Sequence, residues 1–263
     1  MEFFDSHAHY NDEKFDEDRD NIIQATFEEG VTKYICAGYD VASSLKAIEI
    51  AKKYPYIYTI CGISPNDVPE TQEQEDTLLQ KIEEMLQTAK TNKIVAVGEI
   101  GLDYYWNKEN KQIQKEMFAK QIELANHYQL PIVIHTREAV EDTIKMLKEH
   151  PVQKKGIFHC CPMNRELIKE SLKLGYFISF AGPVTFKNAK NAEEVIQMVP
   201  MERLLIETDS PYLSPEPLRG KRNDCRNVKY IAQKIANVKN ISLEEVAKIT
   251  YQNAERIFEI SEI

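Results

Sequence analysis

Long uncharged apolar runs are missing from this sequence. No stretch of about 18 or more apolar residues occurs that could cross a membrane as a helix. The N-terminus carries no basic segment followed by an apolar one, the mark of an export signal. The chain is therefore expected to be soluble and cytoplasmic, with no membrane partner. Cysteine is scarce and odd in number: there are five, two of them adjacent at Cys160-Cys161. That excludes a disulfide framework and agrees with a reducing compartment. Positive charge is in deficit, with 33 Lys and Arg against 42 Asp and Glu and a formal net charge of −9. Broad nonspecific binding to nucleic acid is disfavoured by that balance, which says nothing of a local basic patch. A Ser-His-Asp order, a phosphate loop and a dinucleotide fingerprint are also lacking. Gly98 and Gly101 flank Glu99, but their spacing is wrong for a nucleotide motif.

What is present is a regular alternation. Short apolar runs at residues 1–4, 34–38, 57–62, 94–98, 131–134, 156–158, 176–180 and 203–206 read as eight strands. Helical patterns fill the gaps between them. One begins near Ile22 and stops at Gly30; others cover 41–54, 77–90, 113–128, 138–149, 165–174 and 192–199, and two more, 228–236 and 243–258, finish the chain. The acidic segment between Asp12 and Asp20 reads as a solvated helix start. No linker, internal repeat or low-complexity tract interrupts the pattern. Strand-helix alternation without hairpin signals, over 263 residues with 43% hydrophobic content, predicts a single α/β domain, 1–263, with the (β/α)8 TIM-barrel architecture.

Candidate ligands fall at the ends of those strands. His7 and His9 close the first, and side chains two apart on a strand face the same way. Alone, such a pair reads equally well as one exposed and one core histidine. However, Glu99 follows the fourth strand, His135 the fifth, His159 ends the sixth, and Asp209 lies just beyond the eighth. The carboxyl ends of strands are where a barrel gathers its active site. The other two histidines, His127 and His150, fall in or at the end of helices and read as surface or packing residues. Four histidines, a glutamate and an aspartate exceed what one catalytic ion takes, so two divalent ions joined by a bridging carboxylate are expected. Water held between them would ionise near neutral pH.

Several stretches together resemble a known family. They are Asp5-Ser6-His7-Ala8-His9, Gly98-Glu99-Ile100-Gly101-Leu102-Asp103-Tyr104 and Pro131-Ile132-Val133-Ile134-His135-Thr136-Arg137, with His159-Cys160, Gly182-Pro183-Val184-Thr185-Phe186-Lys187, Glu207-Thr208-Asp209-Ser210-Pro211-Tyr212-Leu213 and Arg219-Gly220-Lys221-Arg222-Asn223. Jointly, and nearly end to end, the chain looks like a member of the TatD family of metal-dependent hydrolases, within the amidohydrolase-like barrels. The resemblance implies that His7, His9 and Asp209 hold one ion, His135 and His159 the other, and that Glu99 bridges them. Glu99 and Asp209 would be the catalytic carboxylates. It further implies magnesium, manganese or zinc as the metal, and a deoxyribonuclease that cuts DNA phosphodiester bonds from an end.

Cations support a nucleic-acid substrate. Arg137, Arg165, Lys187, Lys190, Arg219, Lys221, Arg222 and Arg226 follow strands five to eight as a basic arc. Lys190 and Arg226 read as solvated charges, whereas Arg137 and Arg222 are expected to contact phosphate, which guanidinium meets in bidentate fashion. Tyr104, Tyr105 and Trp106 offer either base-stacking surface or packing over the barrel mouth. The alternative reading is a hydrolase of a small amide, ester or lactone on the same barrel, because fold and metals do not fix substrate. Two departures from the family pattern, Ile63-Ser64-Pro65 and Cys161-Pro162-Met163, bear on substrate positioning. Cys161 reads as a small buried hydrophobe; a sharper reading has its thiol lean toward the metals with a lowered pKa.

Overall fold

The computed structural model describes residues 1–106 and 108–260. Its strands are β1 (Phe3–Ala8), β2 (Val31–Ala37), β3 (Ile57–Cys61), β4 (Ile94–Asp103), β5 (Ile132–Arg137), β6 (Gly156–Phe158), β7 (Phe177–Phe180) and β8 (Leu204–Ile206). The helices are α1 (Arg19–Glu28), α2 (Val41–Lys53), α3 (Gln72–Leu86), α4 (Ala89–Asn92), α5 (Lys111–His127), α6 (Val140–Glu149), α7 (Arg165–Lys173), α8 (Ala192–Met198), α9 (Val228–Lys239) and α10 (Leu243–Ile257). One eight-stranded sheet takes the strands in sequence order, β1 to β8. Parallel pairing with helical crossovers makes this the (β/α)8 barrel that the alternation predicted.

The local reasons are ordinary chemistry. Strands covered on both faces need apolar residues in runs, and β6, β7 and β8 are buried at every position. Asp40 and Ser43 form a reciprocal capping box at the start of α2. Asn164 and Ser242 cap α7 and α10 by accepting from Leu167 and Glu245 backbone N–H groups. Gly30 ends the turn after α1 with φ +94°, and a Cβ there would meet Met1 O at 2.8 Å.

The chain forms two compact units, Met1–Cys36 with His159–Ile263, and Ala37–Phe158. The last three residues of the expected single domain, 261–263, lie outside the described residues. In the first unit, the Ser6 hydroxyl donates to Ile206 O at 3.0 Å and meets the Ser179 hydroxyl at 2.9 Å, joining β1 to β8 and β7. Tyr251 of α10 and Phe258 just after it cover β1, their rings 5.6 and 6.3 Å from that of Phe4. In the second unit, two buried glutamines of α5 act as backbone surrogates. Gln121 exchanges hydrogen bonds with both Ile63 N and Ile63 O, and Gln114 does the same with Asp103.

Three boundaries differ from expectation in ways that matter for the site. The first strand runs on to Ala8, so His7 is fixed inside it. The fifth runs on to Arg137, with His135 inside. The fourth continues to Asp103, with Glu99 inside it, and its register against β5 shifts between Val97 and Ile100. Its continuation depends on Gly101, paired with His135 at φ +140°, where a Cβ would sit 2.0 Å from His135 O. Helix α3 begins earlier than expected because Thr71 caps it and Glu73 and Glu75 favour its first turn.

Candidate metal centre

In the first unit, β1 carries His7 and delivers His9, while the segment after β8 delivers Asp209. Backbone hydrogen bonds tie the two segments together, from Asp209 N to His7 O at 3.0 Å and from His9 N to Ser210 O at 2.7 Å. His7 Nε2 and His9 Nε2 are 3.2 Å apart. Asp209 Oδ1 lies 3.2 Å from His9 Nε2 and 3.8 Å from His7 Nε2. Donors about 2.1 Å from a common ion stand roughly 3.0–3.4 Å apart at octahedral or tetrahedral angles and at most about 4.2 Å, so these three fit one divalent cation, with His7 and Asp209 at a wide angle. Burial alone would raise the Asp209 carboxyl, but the hydrogen bond to His9 and the neighbouring imidazoles outweigh it and hold it below the usual carboxylate range. Asp209 therefore stays ionised and ready to ligate.

Asp5 lies behind this set and is fully buried. It accepts from His7 N at 3.2 Å, Thr208 N at 3.0 Å and the Thr208 hydroxyl at 2.6 Å. Burial pushes its carboxyl up to about 7 against those hydrogen bonds. It braces the β1 and β8 ends rather than joining the donors.

His159, directly after β6, stacks on His7 with ring centroids 4.0 Å apart. Its Nδ1 lies 3.3 Å from Glu207 Oε1, which also accepts from Cys160 N at 2.7 Å. A carboxylate on Nδ1–H fixes the tautomer that presents Nε2 as a donor.

The second unit holds a matching arrangement. His135 Nδ1 lies 3.0 Å from Glu99 Oε1, and His135 Nε2 lies 2.9 Å from Asp103 Oδ2. A neutral imidazole has one N–H and can satisfy only one of two flanking carboxylates by donation. With Asp103 taking that proton, Nδ1 and Glu99 are a donor pair suited to a cation. Burial would raise Asp103, and the hydrogen bond from His135 overrides it, keeping the carboxylate ionised.

The sequence reading assigned no role to Asp103 or Glu207. The signal was there in outline, an acid four residues after Glu99 and another two before Asp209, but local spacing did not say which histidine each would orient. Arg137 ends β5, exposed, with its guanidinium carbon 3.8 Å from the Tyr105 ring centroid. Arg222 has partners inside the chain: Asp18 takes both of its terminal nitrogens and Lys14 O one of them, and Phe15 lies beneath the plane. Arg165 pairs with Glu194, and Arg226 with Asp224 and Glu29, so acids neutralise part of the basic arc.

Neither departure from the family pattern reaches a ligand within its unit. The Ser64 hydroxyl donates to Asp67 at 2.5 Å, closing its own turn. Strand β6 stops at Phe158 and Cys160 takes φ +37°, so strand alternation does not carry forward to position 161. Cys161 is buried, with its thiol 3.7 Å from Pro162 O. Burial, reinforced by Glu207, pushes that thiol up. The reading of Cys161 as a small buried hydrophobe fits this burial, and the sharper reading of a lowered thiol does not.

A family model described as TatD related DNase matches residues 4–259. The chain belongs to this family. A relative named an uncharacterized metal-dependent hydrolase, YabD of Bacillus subtilis, is 44% identical over 259 residues, covering 98% of this chain and 99% of that protein. The crystal structure of YJJV, a TatD homolog from Escherichia coli, is 25% identical with a TM-score of 0.92 and 98% of each chain covered. An uncharacterized amidohydrolase from Saccharomyces cerevisiae shares the fold at 18% identity, with a TM-score of 0.83 over 98% of this chain and 99% of that one. This TatD-family chain is thus a metal-dependent hydrolase on a (β/α)8 barrel. Among its described residues no helix is long and apolar enough to cross a membrane.

Proposed function

We propose that this chain is a deoxyribonuclease that hydrolyses DNA phosphodiester bonds from a strand end. In this reading it works as one domain with two divalent ions, of magnesium, manganese or zinc, one held by His7, His9 and Asp209 and the other by His135 and His159, with Glu99 shared. The observation that carries it is the convergence of His7, His9 and Asp209 on one point, in a chain matched almost end to end by a DNase family model. When bound, the ions supply an ionised water as nucleophile and neutralise charge on the phosphoryl group. The residues do the rest. Asp103 and Glu207 hold His135 and His159 in the ligating tautomer, and ionised Asp209 gives its donor set an anionic member. Arg137, at the end of the strand that carries His135, is the cation placed to meet phosphate oxygens, while Arg222 braces its own loop against Asp18. Five cysteines, an odd number that makes no disulfide framework, support a cytoplasmic setting.

Metal analysis after gentle purification, followed by assay on end-labelled single- and double-stranded DNA beside small amides and lactones, is the test. Up to two ions and progressive shortening of DNA are expected. Turnover confined to the amides or lactones would replace the nuclease reading with the small-substrate one.

A further inference from the structure

The turn that follows β4 places two aromatic rings in solvent beside an arginine. Tyr104 is 6% exposed, its hydroxyl donating to Asp142 at 2.7 Å, and it accounts for packing. Tyr105 and Trp106 are 46% and 69% exposed, far more than packing requires. Their rings meet edge to face at 4.9 Å, and the Arg137 guanidinium carbon lies 3.8 Å from the first centroid and 5.5 Å from the second.

The backbone that carries these rings is held. Asp103 Oδ1 accepts from Tyr105 N at 2.9 Å and Trp106 N at 3.2 Å, while Oδ2 of the same carboxylate meets His135 Nε2 at 2.9 Å. Asp103 is itself clamped by Gln114 at both its N–H and its carbonyl. One buried carboxylate therefore sets the exposed rings in register with a proposed metal-ligating histidine.

We propose that Tyr105, Trp106 and Arg137 form a stacking subsite for an unpaired nucleobase next to the phosphate being cut. This rests on the nuclease reading and narrows its substrate to single-stranded or frayed ends. A base within a duplex has both faces covered by its neighbours, whereas an unpaired base can lay one face on an aromatic ring or a guanidinium plane. A neutral amide or lactone would have no use for a cation and two exposed rings held beside the ligands. Because the backbone at Tyr105 and Trp106 is hydrogen-bonded to Asp103 before substrate arrives, less backbone ordering is left to be met on binding.

Trp106 is the one tryptophan of the chain, so its fluorescence reports on this subsite alone. Metal-loaded protein should be titrated with a single-stranded oligothymidylate whose terminal linkages are phosphorothioates, to slow cleavage. An abasic oligomer of equal charge and a blunt duplex serve as comparisons. Saturable quenching by the oligothymidylate is expected, with binding on the order of tenfold weaker for the abasic strand and weaker again for the oligothymidylate in Tyr105→Ala. In steady-state cleavage, KM should favour a normal terminal nucleotide over an abasic one, and Trp106→Ala should bring that ratio close to one. Equal binding of both strands without a fluorescence change, in protein that cleaves DNA, overturns the subsite and leaves the nuclease reading standing. Base-dependent quenching in metal-loaded protein that cleaves no DNA supports the stacking surface and removes the nuclease reading.

Discussion

At the scale of single residues, the donors and their supports have different failure modes. Glu99 is buried at 8% exposure in a strand whose neighbours are apolar, and in our reading it contributes a ligand rather than packing. Glu99→Ala should abolish hydrolysis while leaving the circular-dichroism melt within a few degrees of wild type; a grossly unfolded variant would mean the carboxylate is structural. Glu207 never meets the ion in our reading, yet it is fully buried and holds both His159 Nδ1 and Cys160 N. Removing such an orienting carboxylate weakens metal affinity by roughly 10–100-fold. Glu207→Ala should therefore show a weaker metal isotherm by calorimetry, with the Glu207→Gln variant, which can still accept from the backbone, falling between. Unchanged affinity in Glu207→Ala would remove Glu207 from the positioning role. Sequence spacing pointed to the donors because each stands in or just after an apolar strand; it could not reveal these supports, which depend on which way each imidazole turns.

At the scale of elements, Asp142 ties three together. It sits in the first turn of α6, accepts from Tyr104 at the end of β4, and pairs with Lys115 of α5 at 2.7 Å. The hydrogen bond from Lys115 comes first among the causes that hold its carboxyl below the ordinary 3.8, with Tyr104 adding to it against partial burial. A carboxyl lowered in the folded state contributes stability above its unfolded value and loses it as pH falls through the folded one. Asp142→Asn should thus cost about 1 kcal/mol in urea unfolding near neutral pH, the scale of one partly exposed charged hydrogen bond. The gap to wild type should hold steady down to about pH 5 and narrow below it. A gap that widened on acidification would contradict the assigned ionisation. The element boundaries were legible where a cap or glycine marks them, as at Gly30 and Gly175, and obscure where a strand outlasts its apolar run, as β4 does past Gly98.

At the scale of the whole molecule, donors that come from segments about 200 positions apart in sequence meet only in the folded chain, so a cation they hold binds the folded state and not the unfolded one. Binding to the folded state alone stabilises it by about 2.7 kcal/mol at a hundredfold excess over Kd, equivalent to a rise in Tm of roughly 5–10 °C for a chain of this size. Manganese or zinc added to chelator-treated protein should raise Tm in a concentration-dependent way, and His7→Ala should blunt the rise. A melting curve indifferent to metal in the wild type would leave the donor set without its proposed occupant.

The sequence alone determined the alternation of strand and helix, and with it the barrel, because apolar period, caps and breakers act within a few residues. It also singled out the candidate donors, since placement at a strand end follows from that alternation. Only the tertiary structure decided what those donors lean on. Arg222, expected to meet phosphate, pairs with Asp18, 204 positions away in sequence. Cys161, with two readings open, became packing when the chain turned at Cys160. Tyr104 went inward to Asp142 while Tyr105 and Trp106 stayed in solvent. The physical reason is the same in each case: hydrogen-bond partners and burial are set by segments distant in the chain, and no local pattern records the direction in which a side chain will find them.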